Sequence, residues 1–190
     1  MIRTDAIGQK RLRSTPTTPG LYVQYGCGAC APEGWLNFDA SPRLKLERLV
    51  GARKVLKRRV GLVFPENANP GDIVKGLPLP DQCAAAVFCS HVLEHLPRDA
   101  MESALRNTFR MLRPGGLFRL VVPDLQWRAA QYIRSATVED PTAADTFMQA
   151  CSLGRRGTPR GFIDRLSSCF GNSPHLWMYD FSYGCMTFRR

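Results

Sequence analysis

Histidine is scarce in this 190-residue chain, with three copies, and long apolar runs are missing. Ala84 to Cys89 is the longest purely apolar stretch of note. That is far short of the ~20 residues that cross a bilayer, so no membrane span is expected. Met1 to Ser14 is polar and basic with no hydrophobic segment behind it, so no secretory leader is expected. Internal repeats and low-complexity tracts are absent, which excludes solenoid and linker-like architectures. Cysteines are odd in number, seven, at 27, 30, 83, 89, 151, 169 and 185. Without an export signal they argue against a disulfide framework and for a cytoplasmic protein. The Cys27-x-x-Cys30 pair lacks the second pair, or the nearby Cys/His partner, that a structural zinc site needs, so no metal is expected.

What is present is ordinary globular composition: 44% hydrophobic and 22% charged residues, enough for one sizeable core. A single domain over 1–190 is expected, with a loose arm at 1–20 and a basic loop and irregular tail over 154–190. The net charge of +10 is uneven. Between Arg43 and Arg59 eight bases face one acid, Glu47, which concentrates +7 of that charge in one segment. Such a field attracts polyanions, so nucleic acid or another polyanion is a candidate partner of Arg43–Arg59; a solvated helix face is the plainer reading.

Strand and helix signals alternate. Leu21–Tyr25 is a short strand stopped by Gly26-Cys27-Gly28, and Trp35 to Phe38 is a second, ending in Asp39. Ser41-Pro42 starts a helix, serine as cap and proline at the first helical position. Its apolar anchors are Leu44, Leu49, Leu56 and Val60, with a break at Gly51. A third strand belongs somewhere in 61–73, where Pro65 and Pro70 blur it. Ala84–Cys89 lacks alternation, as in a parallel strand covered on both faces. Asp99 is the expected cap of a helix carrying Met101, Leu105, Phe109 and Leu112, ended by Pro114-Gly115-Gly116. Leu117–Val122 is the fifth strand, and helical stretches follow around 125–135 and 142–153. The expected fold is α/β: a Rossmann-like parallel sheet of about five strands with helices on both faces.

Ligands of such sheets bind outside the carboxyl ends of the strands. The candidate residues are therefore Gly26-Cys27-Gly28, Asp39, Asp72-Ile73, Ser90-His91 and Pro123-Asp124. Asp39 is placed to accept two hydrogen bonds from a ribose diol, since a carboxylate has about four lone-pair sites and no competing donor. Gly26-x-Gly28-x-x-Ala31 also fits a dinucleotide fingerprint, but Pro32-Glu33-Gly34 interrupts the helix that motif requires, and Asp39 follows Gly28 too closely.

The segments Tyr25-Gly26-Cys27-Gly28, Gly34-Trp35-Leu36-Asn37-Phe38-Asp39, Gly71-Asp72-Ile73, Ser90-His91-Val92-Leu93-Glu94-His95-Leu96 and Leu112-Arg113-Pro114-Gly115-Gly116 resemble, in order and spacing, the class I S-adenosylmethionine-dependent methyltransferases. Among these the chain is similar to the small bacterial type 11-like branch. The resemblance implies an enzyme that transfers a methyl group from S-adenosyl-L-methionine to an unidentified acceptor, a small molecule or glycan. The alternatives are an RNA or polyanion methyltransferase and a shortened, inactive cofactor-binding protein. It further implies a cofactor site of Tyr25, Gly26, Cys27, Gly28, Asp39, Asp72, Ile73, Ser90 and His91. Gly26 and Gly28 would pass under the methionine part and Asp39 would hold the ribose. Asp72 and the Ile73 backbone would read adenine, and Ser90 and His91 would flank the sulfonium end. For an acceptor that must lose a proton, His91 is the first candidate base, its ordinary pKa of about 6.5 leaving it largely neutral at pH 7. Asp124 is the second. Glu94 and His95 are expected to be structural, and Trp35 to be core.

The family sheet has seven strands. Relatives continue from a segment like His175-Leu176-Trp177-Met178-Tyr179-Asp180 into a helix and two more strands, for which too few residues follow here, so strands six and seven are expected to be missing. Strand five would then be a bare edge, to be covered by Phe181–Phe188 or by a second chain in a homodimer.

Overall fold

The structure is a computed structural model describing residues 20–48, 64–154 and 174–180. Five strands, β1 (Leu21–Tyr25), β2 (Leu36–Asp39), β3 (Ala68–Pro70), β4 (Ala84–Ser90) and β5 (Leu112–Val121), form one sheet in the order β3-β2-β1-β4-β5. Every neighbouring pair is parallel. The chain winds outward from β1 through β2 to β3, then returns to lay β4 and β5 on the other side. The order therefore reverses between β1 and β4, where an open parallel sheet leaves a crevice at its carboxyl edge. This is the Rossmann-like α/β fold.

No helix separates β1 from β2; a turn-rich loop does, as Pro32-Glu33-Gly34 foretells. Side chains hold it in shape. Gln24 Nε2 donates to the Cys30 carbonyl (3.2 Å), and the wholly buried Asn37 donates through Nδ2 to the carbonyls of Pro32 and Trp35 (3.0 Å each). Helix α1 (Pro42–Glu47) starts where expected: the Ser41 hydroxyl accepts from Arg43 N and proline occupies the first turn. Leu49, Gly51, Leu56 and Val60 fall outside the described residues, as do the arm 1–19, the basic loop 155–173 and the tail 181–190.

Helix α2 (Arg98–Met111) carries the main packing against the sheet. It buries Met101, Ala104, Leu105, Thr108 and Met111 against Val23, Tyr25, Val87 and Cys89 of β1 and β4. Each large apolar side chain so removed from water contributes roughly 1.5–3 kcal/mol. Three expectations need correction. Pro97, not Asp99, is the N-cap; Asp99 lies in the first turn. Phe109 is 46% exposed, and Met111 fills the inward position instead. The helix ends at Met111, before Pro114-Gly115-Gly116, because the residue preceding a proline is driven to extended backbone. Pro-Gly-Gly sits inside β5, where the register against β4 shifts between Ala84↔Leu112 and Ala86↔Leu117.

Strand β4 also departs from the two-sided burial expected of it. Ala84, Val87 and Cys89 are buried, whereas Ala85, Ala86, Phe88 and Ser90 are only partly so, and the Arg119 guanidinium lies 5.8 Å from the Phe88 ring centroid. Helices α3 (Leu125–Thr137) and α4 (Ala143–Ala150) pack on each other through Tyr132 and Phe147, ring centroids 5.5 Å apart. Among the described residues β5 is a sheet edge.

Candidate functional site

The carboxyl edge of the sheet gathers the loops that follow β1, β2, β3 and β4. After β1 the backbone enters the left-handed region at Gly26 (φ +68°) and Gly28 (φ +52°). A Cβ on Gly26 would collide with Val92 Cγ2, so this loop lies directly against the segment after β4. At Gly28 a Cβ would meet nothing within 4 Å, which leaves a ledge of bare backbone open to a ligand.

Asp39, at the end of β2, fixes that ledge. Its Oδ2 accepts from Gly28 N (2.9 Å) and its Oδ1 from Ser41 N (2.8 Å). Two backbone donors leave roughly half of the carboxylate's acceptor capacity for a ligand's hydroxyls. The Asp39 carbonyl accepts from Gly71 N (3.0 Å), which draws the loop after β3 to the same edge. There Asp72 Oδ1 accepts from Val74 N (3.0 Å), and Lys75 Nζ stands 3.9 Å from Oδ2. Ile73 is buried in the core; its carbonyl accepts from Asn107 Nδ2 of α2 (2.8 Å).

Ser90, the last residue of β4, is half-buried, and His91 after it adopts a left-handed backbone (φ +55°), unusual for a residue with a side chain. His91 N donates to the Val121 carbonyl (3.0 Å), joining the ends of β4 and β5, and its Nδ1 lies 3.0 Å from Glu94 Oε1. The His91 side chain is 59% exposed while the Glu94 side chain is wholly buried.

Three candidate residues belong elsewhere, at least in their side chains. Tyr25 is 1% exposed and its ring points into the core, its hydroxyl 3.1 Å from Thr108 Oγ1; burial pushes its phenol well above the ordinary range. Cys27 packs with Leu44 and Ala68, and burial, with Asp39 nearby, pushes its thiol up to about 11. It is a neutral, inert thiol at pH 7, and only its backbone reaches the edge. Asp124 caps α3, its Oδ1 accepting from Trp127 N (3.2 Å), and bridges to Tyr179 through the backbone. Trp35 is half-buried against Tyr22, ring centroids 5.4 Å apart, at the surface rather than in the core. A cleft of about 470 Å³ lined by Asp81, Phe109, Arg110, Arg113 and Phe118 lies at the opposite, amino ends of β4 and β5.

A family model described as a methyltransferase domain matches residues 23–120, just over half of the chain. The chain belongs to that family. No curated protein matches it. Among solved structures, this methyltransferase domain is similar to the PH0226 protein from Pyrococcus horikoshii OT3, with 18% identity over 61% of this chain and 54% of that one and a TM-score of 0.41. It is similar to the glycopeptide N-methyltransferase MtfA, with 16% identity over 57% and 49% of the two chains and a TM-score of 0.37. It is also similar to PKMT2 from Rickettsia typhi in complex with AdoHcy, with 15% identity over 89% and 35% and a TM-score of 0.38. At these scores the family match carries the assignment, and the methyltransferase domain spans about half the length of the first of these structures.

Sequence reasoning left Glu94 and His175 without a role at the site. Glu94 is 0% exposed, with His91 on one oxygen and His175 Nε2 4.0 Å from the same oxygen. Burial pulls the His175 imidazole below its ordinary range, the Glu94 carboxylate opposing and His95 adding to the effect. The visible signal was His91-x-x-Glu94-His95, two of the chain's three histidines within five positions, with the third far downstream.

Proposed function

We propose that this methyltransferase domain binds S-adenosyl-L-methionine along the carboxyl edge of its sheet and transfers the methyl group to a small-molecule or glycan acceptor, working as a single domain over 1–190 in the cytoplasm. The observation that carries this reading is the Asp39–Gly28 pair: a carboxylate with spare acceptor capacity beside a left-handed glycine with open space above it. Asp39 would hold the ribose hydroxyls, Gly26 and Gly28 the methionine part, and Asp72 and the Ile73 backbone the adenine, with Ser90 and His91 at the sulfonium end. The backbones of Tyr25 and Cys27 complete the loop. When bound, the cofactor supplies an already electrophilic methyl, so the chain's own task is alignment, worth roughly 7–11 kcal/mol when good. His91 is the acceptor-side base in this reading, its ring held by Glu94. Asp124 is the weaker candidate, because its carboxylate caps α3.

The cytoplasmic setting is supported by the five described cysteines, all free. No helix of the described residues is long and apolar enough to cross a membrane. A polyanion acceptor is the second reading, resting on Arg43–Arg59, and two of those bases are already occupied. Arg43 pairs with the buried Glu47 (3.0 Å), and Arg48 donates to the carbonyls of Pro65 and Ala68. A homodimer would form through the β5 edge. The deciding experiment incubates the protein with methyl-labelled cofactor and fractionated cell extract: label in small-molecule or glycan fractions supports the first reading, label in RNA the second. Label in neither, with no cofactor bound, overturns both.

A further inference from the structure

All three histidines of the chain meet around one carboxylate. Glu94, His95 and His175 each offer a ligand atom within 4.8 Å of the others. Glu94 Oε2, His95 Nδ1 and His175 Nδ1 are buried and have no hydrogen-bond partner among the described residues. The His95 and His175 rings stand edge to face with centroids 4.9 Å apart. Buried polar atoms left unpaired are costly, and three in one cluster call for a shared partner.

We propose that Glu94, His95 and His175 form a site for a divalent transition-metal ion. Two imidazoles and a carboxylate are the borderline nitrogen and oxygen donors that suit zinc-like ions, and three protein ligands leave one position open. Metal–ligand bonds of about 2.0–2.2 Å put tetrahedral donors roughly 3.4 Å apart. The present spacing of up to 4.8 Å therefore requires a closure of up to about 1.4 Å, within reach of side-chain rotation. The surroundings are built for it. His91 Nδ1 lies 3.0 Å from Glu94 Oε1 and orients the carboxylate, as outer groups around metal ligands commonly do. The His175 backbone is anchored by its N–H to the Ser152 carbonyl (3.1 Å). Leu176 N and Trp177 N both donate to the Glu94 carbonyl (2.7 and 3.2 Å), and Tyr179 Oη donates to the Leu93 carbonyl (3.4 Å). The ion would tie the 174–180 segment to the turn after β4. The cysteine pair Cys27 and Cys30 takes no part in this cluster.

The test uses the full chain carrying Cys30→Ser, stripped with chelator and titrated with Co²⁺. The expected result is one equivalent of visible d–d absorption without a thiolate charge-transfer band, and a raised melting temperature. His175→Ala and Glu94→Gln should each weaken Co²⁺ binding at least tenfold, with far-UV circular dichroism of each variant confirming the fold; His95→Asn is the further variant should Glu94→Gln not fold. Absence of a d–d band and of any melting shift in the parent protein would overturn the proposal and leave the orphaned atoms to buried water. So would a thiolate band, or undiminished binding by folded His175→Ala.

Discussion

Asp39→Asn separates the ligand role of Asp39 from its structural one. The carboxylate accepts two backbone hydrogen bonds, from Gly28 N at 2.9 Å and Ser41 N at 2.8 Å. An amide of the same shape keeps one oxygen acceptor and turns an NH₂ donor towards the other N–H. Leaving that donor unsatisfied costs about 1–3 kcal/mol. For a chain of this length that lowers the melting temperature by roughly 2–12 °C. The ribose diol would lose a charged acceptor, worth about 1.5–3 kcal/mol, or roughly a ten- to hundredfold loss of affinity. Equilibrium dialysis with labelled S-adenosylhomocysteine measures the second effect and a thermal melt the first. A variant that melts lower yet binds with unchanged affinity would refute the ribose role and leave Asp39 as a loop staple alone.

Gly26→Ala forces a side chain into left-handed backbone and against Val92 Cγ2; a loss of at least ~2 kcal/mol in urea denaturation is expected, together with weakened cofactor binding. Tyr25→Phe removes a buried hydroxyl beside Thr108 and should cost about 0.5–1.5 kcal/mol of stability while leaving cofactor affinity unchanged, a result that a melt and a binding isotherm check together. Burial holds the Cys27 thiol at about 11 and the Cys89 thiol at about 12, so iodoacetamide at pH 8 should label exposed Cys30 and spare both until the chain is unfolded, as read by peptide mass spectrometry.

What was legible in the sequence was local. Ser41-Pro42 specifies its own cap and first turn, and Pro32-Glu33-Gly34 forbids a helix after β1; both outcomes depend on residues adjacent in the chain. The placement of glycines and carboxylates just after strand ends was legible for the same reason, because parallel strands deliver their following loops to one edge. Side-chain direction was not. Tyr25 ends β1, where a one-residue change of parity moves a ring from the ligand edge to the face under α2, and only the tertiary register Tyr25↔Cys89 fixes it. The end of α2 was misplaced because Pro-Gly-Gly signals a break without saying whether a helix or a strand is broken. Glu94 and His175 are brought together by the 174–180 segment packing on the turn after β4, a contact with no local signature.

Isothermal titration of the full chain with S-adenosylhomocysteine tests the central claim most directly. The account predicts saturable binding of one molecule per chain, competed by S-adenosylmethionine and weakened by Asp39→Asn. Absence of saturable heat up to ~1 mM ligand, a concentration that detects interactions as weak as about −4 kcal/mol, would contradict it.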